Sequence, residues 1–187
     1  MDYFKELYEY VSNNCEIQEH GQQLCDIQVP DVLGFSINEE TKYVYQHYSK
    51  FELGWYKDNK YKGSVSFVPY SRLNGEHKDF VDLMEDVYDC NEDELGISED
   101  IHNLYPVFNF PNGDAFCLDK RTGAIVLWAH DSLEGDLCMH GIKVANSIDD
   151  LFKKWSEIQF TDIYYWDEVV NEDGIDLESE KLKKYMA

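Results

Sequence analysis

The sequence contains no long apolar run and no paired cysteine motif. No stretch of about 18 apolar residues occurs, so no transmembrane helix is predicted. Residues 1–6 lack a positive region followed by an apolar stretch, so no signal peptide is expected. The cysteines are odd in number and form no C-x-x-C pair: Cys15, Cys25, Cys90, Cys117 and Cys138. Such usage is typical of reduced thiols, and we predict a cytoplasmic protein without a disulfide framework.

Basic residues are also scarce. Lys and Arg number 16 against 38 Asp and Glu, which gives a formal net charge of -22. Proteins bind nucleic acid by neutralising phosphates with Lys and Arg, so we expect no direct nucleic-acid ligand. The same field repels anionic membranes and attracts basic proteins, although high charge can also serve solubility alone.

Glycine and proline are few, which argues against disorder. The 187 residues include 11 Gly and 4 Pro, and 43% are hydrophobic. This length and composition predict a single domain over residues 1–187. Within it we expect an N-terminal helix at about 2–12, a strand and helix core at about 36–160, and an acidic C-terminal segment at 161–187.

Apolar spacing and capping residues predict the helices. Four main helices are expected: residues 2–12 capped by Asp2, residues 36–49 opened by a capping box at Ser36 and Glu39, a helix around 80–88, and a helix after Ser147. Residues 13–33 show no clear periodicity and are predicted to be irregular. Residues 161–180 are expected to hold a short helix and an acidic turn, followed by a C-terminal helix ending in Lys181, Lys183 and Lys184.

Short β-prone runs predict the strands. They lie at residues 51–56, 64–68, 105–108, 114–118 and 124–128. The intervening loops are short enough for hairpins, so an antiparallel sheet is predicted. With helices on both sides in sequence, the fold class is α+β, with a curved antiparallel sheet packed by helices.

The search for chemistry finds only weak candidates. His130-Asp131 is a dipeptide without further ligands, and Cys138-Met139-His140 lacks the paired motifs of a zinc site. Cys117 lies in an alternating strand and is expected to be a core residue. No phosphate-binding glycine motif occurs, so Gly113 and Gly123 are assigned to turns. We therefore predict no catalytic residue, no cofactor and no metal.

Carboxylates interleaved with aromatics form a more informative pattern. A tryptophan beside acids is typical of an interface that buries an anchor and pairs charges with a basic partner. The predicted partner-binding residues are Glu92, Asp93, Glu94, Trp166, Asp167, Glu168, Glu172, Asp173 and Asp176. The alternative is a helix with core aromatics on one side and solvated acids on the other.

An ordered series of motifs resembles the SUKH superfamily, which includes the Smi/Knr cell-wall-assembly regulators and many bacterial toxin-immunity proteins. The motifs are FELGW (51–55), YKGSVSFVP (61–69), FPNGDAFCLD (110–119), GAIVLWAHD (123–131) and ANSIDDLF (145–152). The resemblance implies a curved antiparallel sheet packed by helices and a binding role without enzymatic activity. It further implies that the matching positions Trp55, Gly63, Gly113, Asp114 and Asp119 determine the fold.

Charge and resemblance together suggest an immunity protein that occludes a basic toxin domain, such as a nuclease. Two alternatives remain: a regulatory or scaffold module that binds other proteins, and a hydrolase built around His130 and Asp131. The sequence does not define an oligomeric state.

Overall fold

The structure is a computed structural model that describes residues 2–29, 37–87, 101–128, 141–161 and 166–186, without the side chains of 61, 84–87 and 167. Its helices are α1 (Tyr3–Asn14), α2 (Glu39–His47), α3 (Tyr70–Val87), α4 (Ile148–Glu157) and α5 (Leu182–Met186), with a 3-10 helix at Trp166–Glu168. Its strands are β1 (Glu16–Leu24), β2 (Tyr48–Lys57), β3 (Lys60–Phe67), β4 (Leu104–Asn109), β5 (Ala115–Asp119), β6 (Ile125–Trp128), β7 (Lys143–Ala145), β8 (Val170–Asn171) and β9 (Gly174–Ile175). The predicted α+β class is confirmed.

Seven strands form one antiparallel sheet in chain order, from β1 at one edge to β7 at the other. β8 and β9 pair separately as a small hairpin. Asp58 and Asn59 both have positive φ, 54° and 58°, so they form the two-residue turn between β2 and β3. Antiparallel pairing follows from such short connections, as the sequence predicted.

The central strands are buried on both faces. On β5, Phe116 and Leu118 point to the large core, whereas Ala115 and Cys117 point to a smaller cluster under α3. This alternation defines an inner face, covered by α1 and α4, and an outer face, covered by α3 over β4 to β6.

α1 packs against β2 and is hydrogen-bonded to α4 on the inner face. Phe4 of α1 stacks on Phe51 of β2 with ring centroids 4.2 Å apart. The Tyr3 hydroxyl donates a hydrogen bond to the Asp149 carboxylate in the first turn of α4. As predicted, Asp2 caps α1 and Ser147 caps α4.

The prediction of irregular structure over residues 13–33 is wrong for Glu16–Leu24, which form β1. Residues 25–29 are irregular as predicted, and residues 30–33 lie outside the described residues. Eight of the nine residues of β1 are exposed, so neither face carries the apolar alternation that identifies a strand. Such a strand is stabilised by its pairing with β2 and not by burial of its side chains.

Element boundaries account for most of the other differences. α2 begins at Glu39, and its N-cap is Asn38, whose side chain accepts from the Thr41 amide at 2.8 Å. The predicted start at Ser36 is therefore wrong, and the Ser36 side chain of the predicted capping box lies outside the described residues. α2 ends at His47 and Tyr48 already belongs to β2. α3 begins ten residues earlier than the predicted Phe80, directly after Pro69. α5 has the predicted Lys183 and Lys184 in its last turn, but it begins after Lys181 and ends at Met186.

No helix in the described parts of the chain is long and apolar enough to cross a membrane.

Candidate binding surface

The C-terminal acids lie around the small hairpin. Glu172 and Asp173 form its tip, between β8 and β9. At the other end, the Asp176 amide donates to the Val169 carbonyl at 2.8 Å, which places Asp176 beside the 3-10 helix that carries Glu168. The structure therefore brings four predicted acids onto one C-terminal unit.

These carboxylates differ in their partners. Glu168 pairs with Lys181 at 3.0 Å, and an Asp176 oxygen accepts from the Glu178 amide at 3.1 Å. Within the described residues, Glu172 and Asp173 make no ion pair with a Lys or Arg side chain. The hairpin tip thus presents two carboxylates to solvent.

The prediction that Trp166 is an anchor available at the surface is wrong. Its side chain is 2% exposed and meets the Phe116 ring edge to face, with centroids 5.1 Å apart. It belongs to the large inner core, which agrees with the alternative interpretation of the aromatic and acidic pattern. An aromatic side chain this large is buried because the core offers it more apolar contact than the surface does.

The other predicted interface residues lie outside what the structure describes. Glu92, Asp93 and Glu94 fall in the undescribed range 88–100, and only the backbone of Asp167 is described, within the 3-10 helix. His130, Asp131, Cys138 and His140 fall in the undescribed range 129–140.

The described residues offer little for catalysis or metal binding. Cys117 is fully buried, as predicted for a core residue, and burial raises the pKa of its thiol well above the ordinary range. A thiol whose anion is so disfavoured is a poor nucleophile. Among the described residues, no three His, Cys, Asp or Glu side chains are grouped so that they could hold a metal ion.

Two acidic residues of the motif FPNGDAFCLD (110–119) hold the turns beside β5. The Asn112 side-chain amide donates a hydrogen bond to the Asp114 carboxylate at 2.7 Å. The Asp119 carboxylate accepts a hydrogen bond from the Arg121 backbone amide at 2.8 Å. Burial raises the pKa of Asp119, but the hydrogen bonds from Arg121 outweigh it and hold the pKa below its ordinary value. These carboxylates stabilise the loops on either side of β5.

An open groove of about 250 Å³ lies on the outer face where α3 does not cover the sheet. The polar residues that line it are Glu19, Glu52, Ser64, Ser66 and Asn109. Hydroxyls, an amide and two carboxylates suit a cationic or hydrogen-bonding side chain from outside.

The two edges of the sheet differ. β7 is three residues long and the β8–β9 hairpin packs against it so closely that a Cβ on Gly174 would lie 2.2 Å from the Val144 carbonyl oxygen. β1 is nine residues long, and no described strand pairs with its far side. A long open edge presents a row of backbone donors and acceptors that another strand can use.

Sequence reasoning missed this edge because it assigned no strand to residues 16–24. One signal was available: the run EIQEHGQQL contains no Pro, Asn, Asp or Ser, the residues that most often form turns beside Gly. A run of nine residues that lacks these turn-forming residues favours an extended segment even where hydrophobic alternation is missing.

No protein-family model, curated protein or solved structure matches this chain.

Proposed function

We propose that this chain binds a basic protein without acting as an enzyme, and that the partner is a toxin domain which the chain neutralises. The observation that carries the proposal is the excess of 38 acidic over 16 basic residues. The partly unpaired carboxylates of the C-terminal unit and the resemblance to immunity proteins of the SUKH superfamily support it.

Charge of this magnitude affects association in a defined way. A negative field attracts a basic partner over distances of about 8 Å at physiological ionic strength and raises the association rate constant by about 10 to 1000-fold at low salt. It adds less to affinity, because exposed ion pairs contribute about 0–1 kcal/mol each. Tight binding therefore also requires apolar or main-chain contacts.

Co-expression tests the proposal directly. The protein encoded by the neighbouring reading frame is expressed in a host with and without this chain, and growth is measured. We expect the neighbour to stop growth and this chain to restore it. A toxic neighbour that this chain does not counteract would refute the immunity role, whereas a harmless neighbour and several bound proteins would favour a regulatory module.

A charge variant tests the C-terminal acids. Glu172→Gln with Asp173→Asn removes two charges from the hairpin tip, and Asp79→Asn with Asp82→Asn removes two from the exposed side of α3. We expect the hairpin variant to slow association with the neighbour-encoded protein more than the α3 variant does. Equal effects would mean that the acids act only through total charge.

A further inference from the structure

The exposed hydrophobic side chains of the described residues are concentrated at one edge of the sheet. Of five large ones, Ile17 and Leu24 lie on β1 and Ile27 follows it, with Leu24 64% exposed. The other two, Leu83 and Leu177, are separated in the chain and lie on other elements. Ile17 and Leu24 lie near opposite ends of β1, about 23 Å apart at about 3.3 Å per residue, so they flank the open edge without forming one continuous patch.

Within the described residues, the middle of this edge carries little protection against pairing with another strand. Natural edge strands are protected by charged side chains, Pro, bulges or a covering element. β1 has two of these features, the acids Glu16 and Glu19 and two register shifts near its ends. β1 contains neither Lys nor Pro, and between its two register shifts Glu19–Gln23 pair with β2 without interruption. β7, in contrast, is short and has the hairpin against it.

Gly21 lies in the middle of this uninterrupted segment. A Cβ at Gly21 would lie 3.1 Å from a Glu52 carboxylate oxygen and 3.2 Å from the Lys50 ammonium nitrogen. The Lys50–Glu52 ion pair, 2.7 Å between charged atoms, therefore lies over β1 where a side chain would otherwise be. This pair places one charge of each sign over the middle of β1 and leaves its net charge there unchanged.

We infer that the partner adds an extended segment to β1 as an eighth strand, in register with Glu19–Gln23. The segment is basic, because β1 carries Glu16 and Glu19 and no Lys or Arg, and opposite charges facing each other across strands stabilise pairing. Main-chain hydrogen bonds provide the contact, and Ile17 and Leu24 provide apolar anchors. A second copy of this chain is a poorer occupant, since each copy carries a charge of -22.

This inference rests on the proposed function and assigns it a contact surface. The C-terminal carboxylates guide the encounter, whereas β1 makes the contact.

Hydrogen exchange of the full chain, alone and with the neighbour-encoded protein, tests the inference. We expect amides within Glu19–Gln23 to exchange more slowly in the complex. Leu24→Gln should weaken the complex by about tenfold, the equivalent of about 1.4 kcal/mol. Leu83→Gln is the matched control, 59% exposed on α3, and should leave affinity unchanged.

Proline variants test the main-chain contact. Successive amides of a strand point to opposite sides. One of the two variants Gln22→Pro and Gln23→Pro therefore removes an amide that points away from the sheet, and we call it the outward variant. The other removes an amide that hydrogen-bonds to β2. The outward variant should keep its thermal stability and lose affinity by about tenfold or more. Gln22→Ala and Gln23→Ala, which keep both amides, should change affinity little.

The other outcomes are distinct. A complex that forms without protection at Glu19–Gln23 and tolerates the outward proline overturns the added strand and leaves protein binding intact. If amides within Glu19–Gln23 of the chain alone exchange more slowly at higher protein concentration, a second copy of the chain occupies the edge. That result also overturns the added strand from a basic partner. Absence of any complex removes the proposed function and this inference together.

Discussion

Two buried tyrosines differ in what their hydroxyl groups contact. The Tyr48 hydroxyl donates to the Asp2 carboxylate at 2.5 Å, whereas the Tyr45 hydroxyl has no hydrogen-bond partner among the described residues. A buried hydroxyl without a partner costs about 1–3 kcal/mol, and a hydrogen bond to a charged group contributes about 1.5–3 kcal/mol.

The same substitution is therefore expected to act in opposite directions at these positions. Tyr45→Phe should raise the free energy of unfolding by about 1 kcal/mol, and Tyr48→Phe should lower it by about 1–2 kcal/mol. Urea unfolding of both variants checks this. A loss of stability in Tyr45→Phe as large as in Tyr48→Phe would show that the Tyr45 hydroxyl has a favourable partner.

Two glycines differ in how much space surrounds the position where a Cβ atom would lie. A Cβ on Gly63 would lie 2.3 Å from the Trp55 ring, so the ring occupies that space. Gly75 lies within α3 with nothing near its missing Cβ.

Gly63→Ala should destabilise the protein by about 1–3 kcal/mol, because Trp55 must move out of its packed position. Gly75→Ala should stabilise it by about 0.5–1 kcal/mol through helix propensity. Thermal unfolding of the pair measures both effects. If Gly63→Ala is as stable as the wild type, the close contact with Trp55 does not constrain the sheet.

At the scale of elements, α3 is joined to β4 by a histidine. The His77 ring nitrogen Nδ1 donates to the Leu104 carbonyl at 2.7 Å, and the ring stacks on Tyr105 with centroids 3.9 Å apart. Burial lowers the pKa of His77 below its ordinary value of 6.5; the bond to Leu104 opposes this, and nearby Lys120 and His102 add to the lowering.

This shift makes the attachment of α3 sensitive to pH. Above pH 6.5 the ring is neutral in both states, and its contribution to stability is fully present. As the pH falls from 6.5 towards the lowered pKa, the unfolded chain takes up the proton first and that contribution is lost. The unfolding free energy should therefore drop more between about pH 7.5 and 5.5 in the wild type than in His77→Gln. If the unfolding free energy drops equally in the two proteins, His77 is not the source of the pH dependence, because the remaining histidines are common to both.

The elements that the sequence predicts well are those whose residues are buried in a regular pattern. β5 and β6 are short apolar runs bounded by turns, and α4 has apolar residues on one side and a recognisable cap; all three occur where predicted, to within a residue. β1 was missed because an exposed edge strand satisfies its backbone through β2 and shows no pattern of its own. The start of α3 was missed because only Leu73 is fully buried in its first half.

The candidate site could be predicted only in part for the same reason. Runs of acids are visible in a sequence, but whether a neighbouring aromatic is exposed depends on the tertiary core, as Trp166 shows. The open edge and the groove beside it arise from contacts between strands distant in the chain, which local patterns do not report.

At the scale of the whole molecule, the proposed function assigns the net charge the role of attracting a basic partner. The charge of -22 arises from acids distributed over much of the sequence, so no single substitution removes the field. Salt screens the effect of this field on encounter, whereas the main-chain and apolar contacts proposed at β1 would not be weakened in the same way. Salt should therefore change the association rate constant much more than the dissociation rate constant.

Stopped-flow measurement of association between this chain and the neighbour-encoded protein, from about 0.02 to 0.5 M ionic strength, tests the central claim most directly. If a basic partner is recognised by an acidic protein, the association rate constant should fall by about tenfold or more across this range. A rate constant that stays the same at every ionic strength would contradict the account.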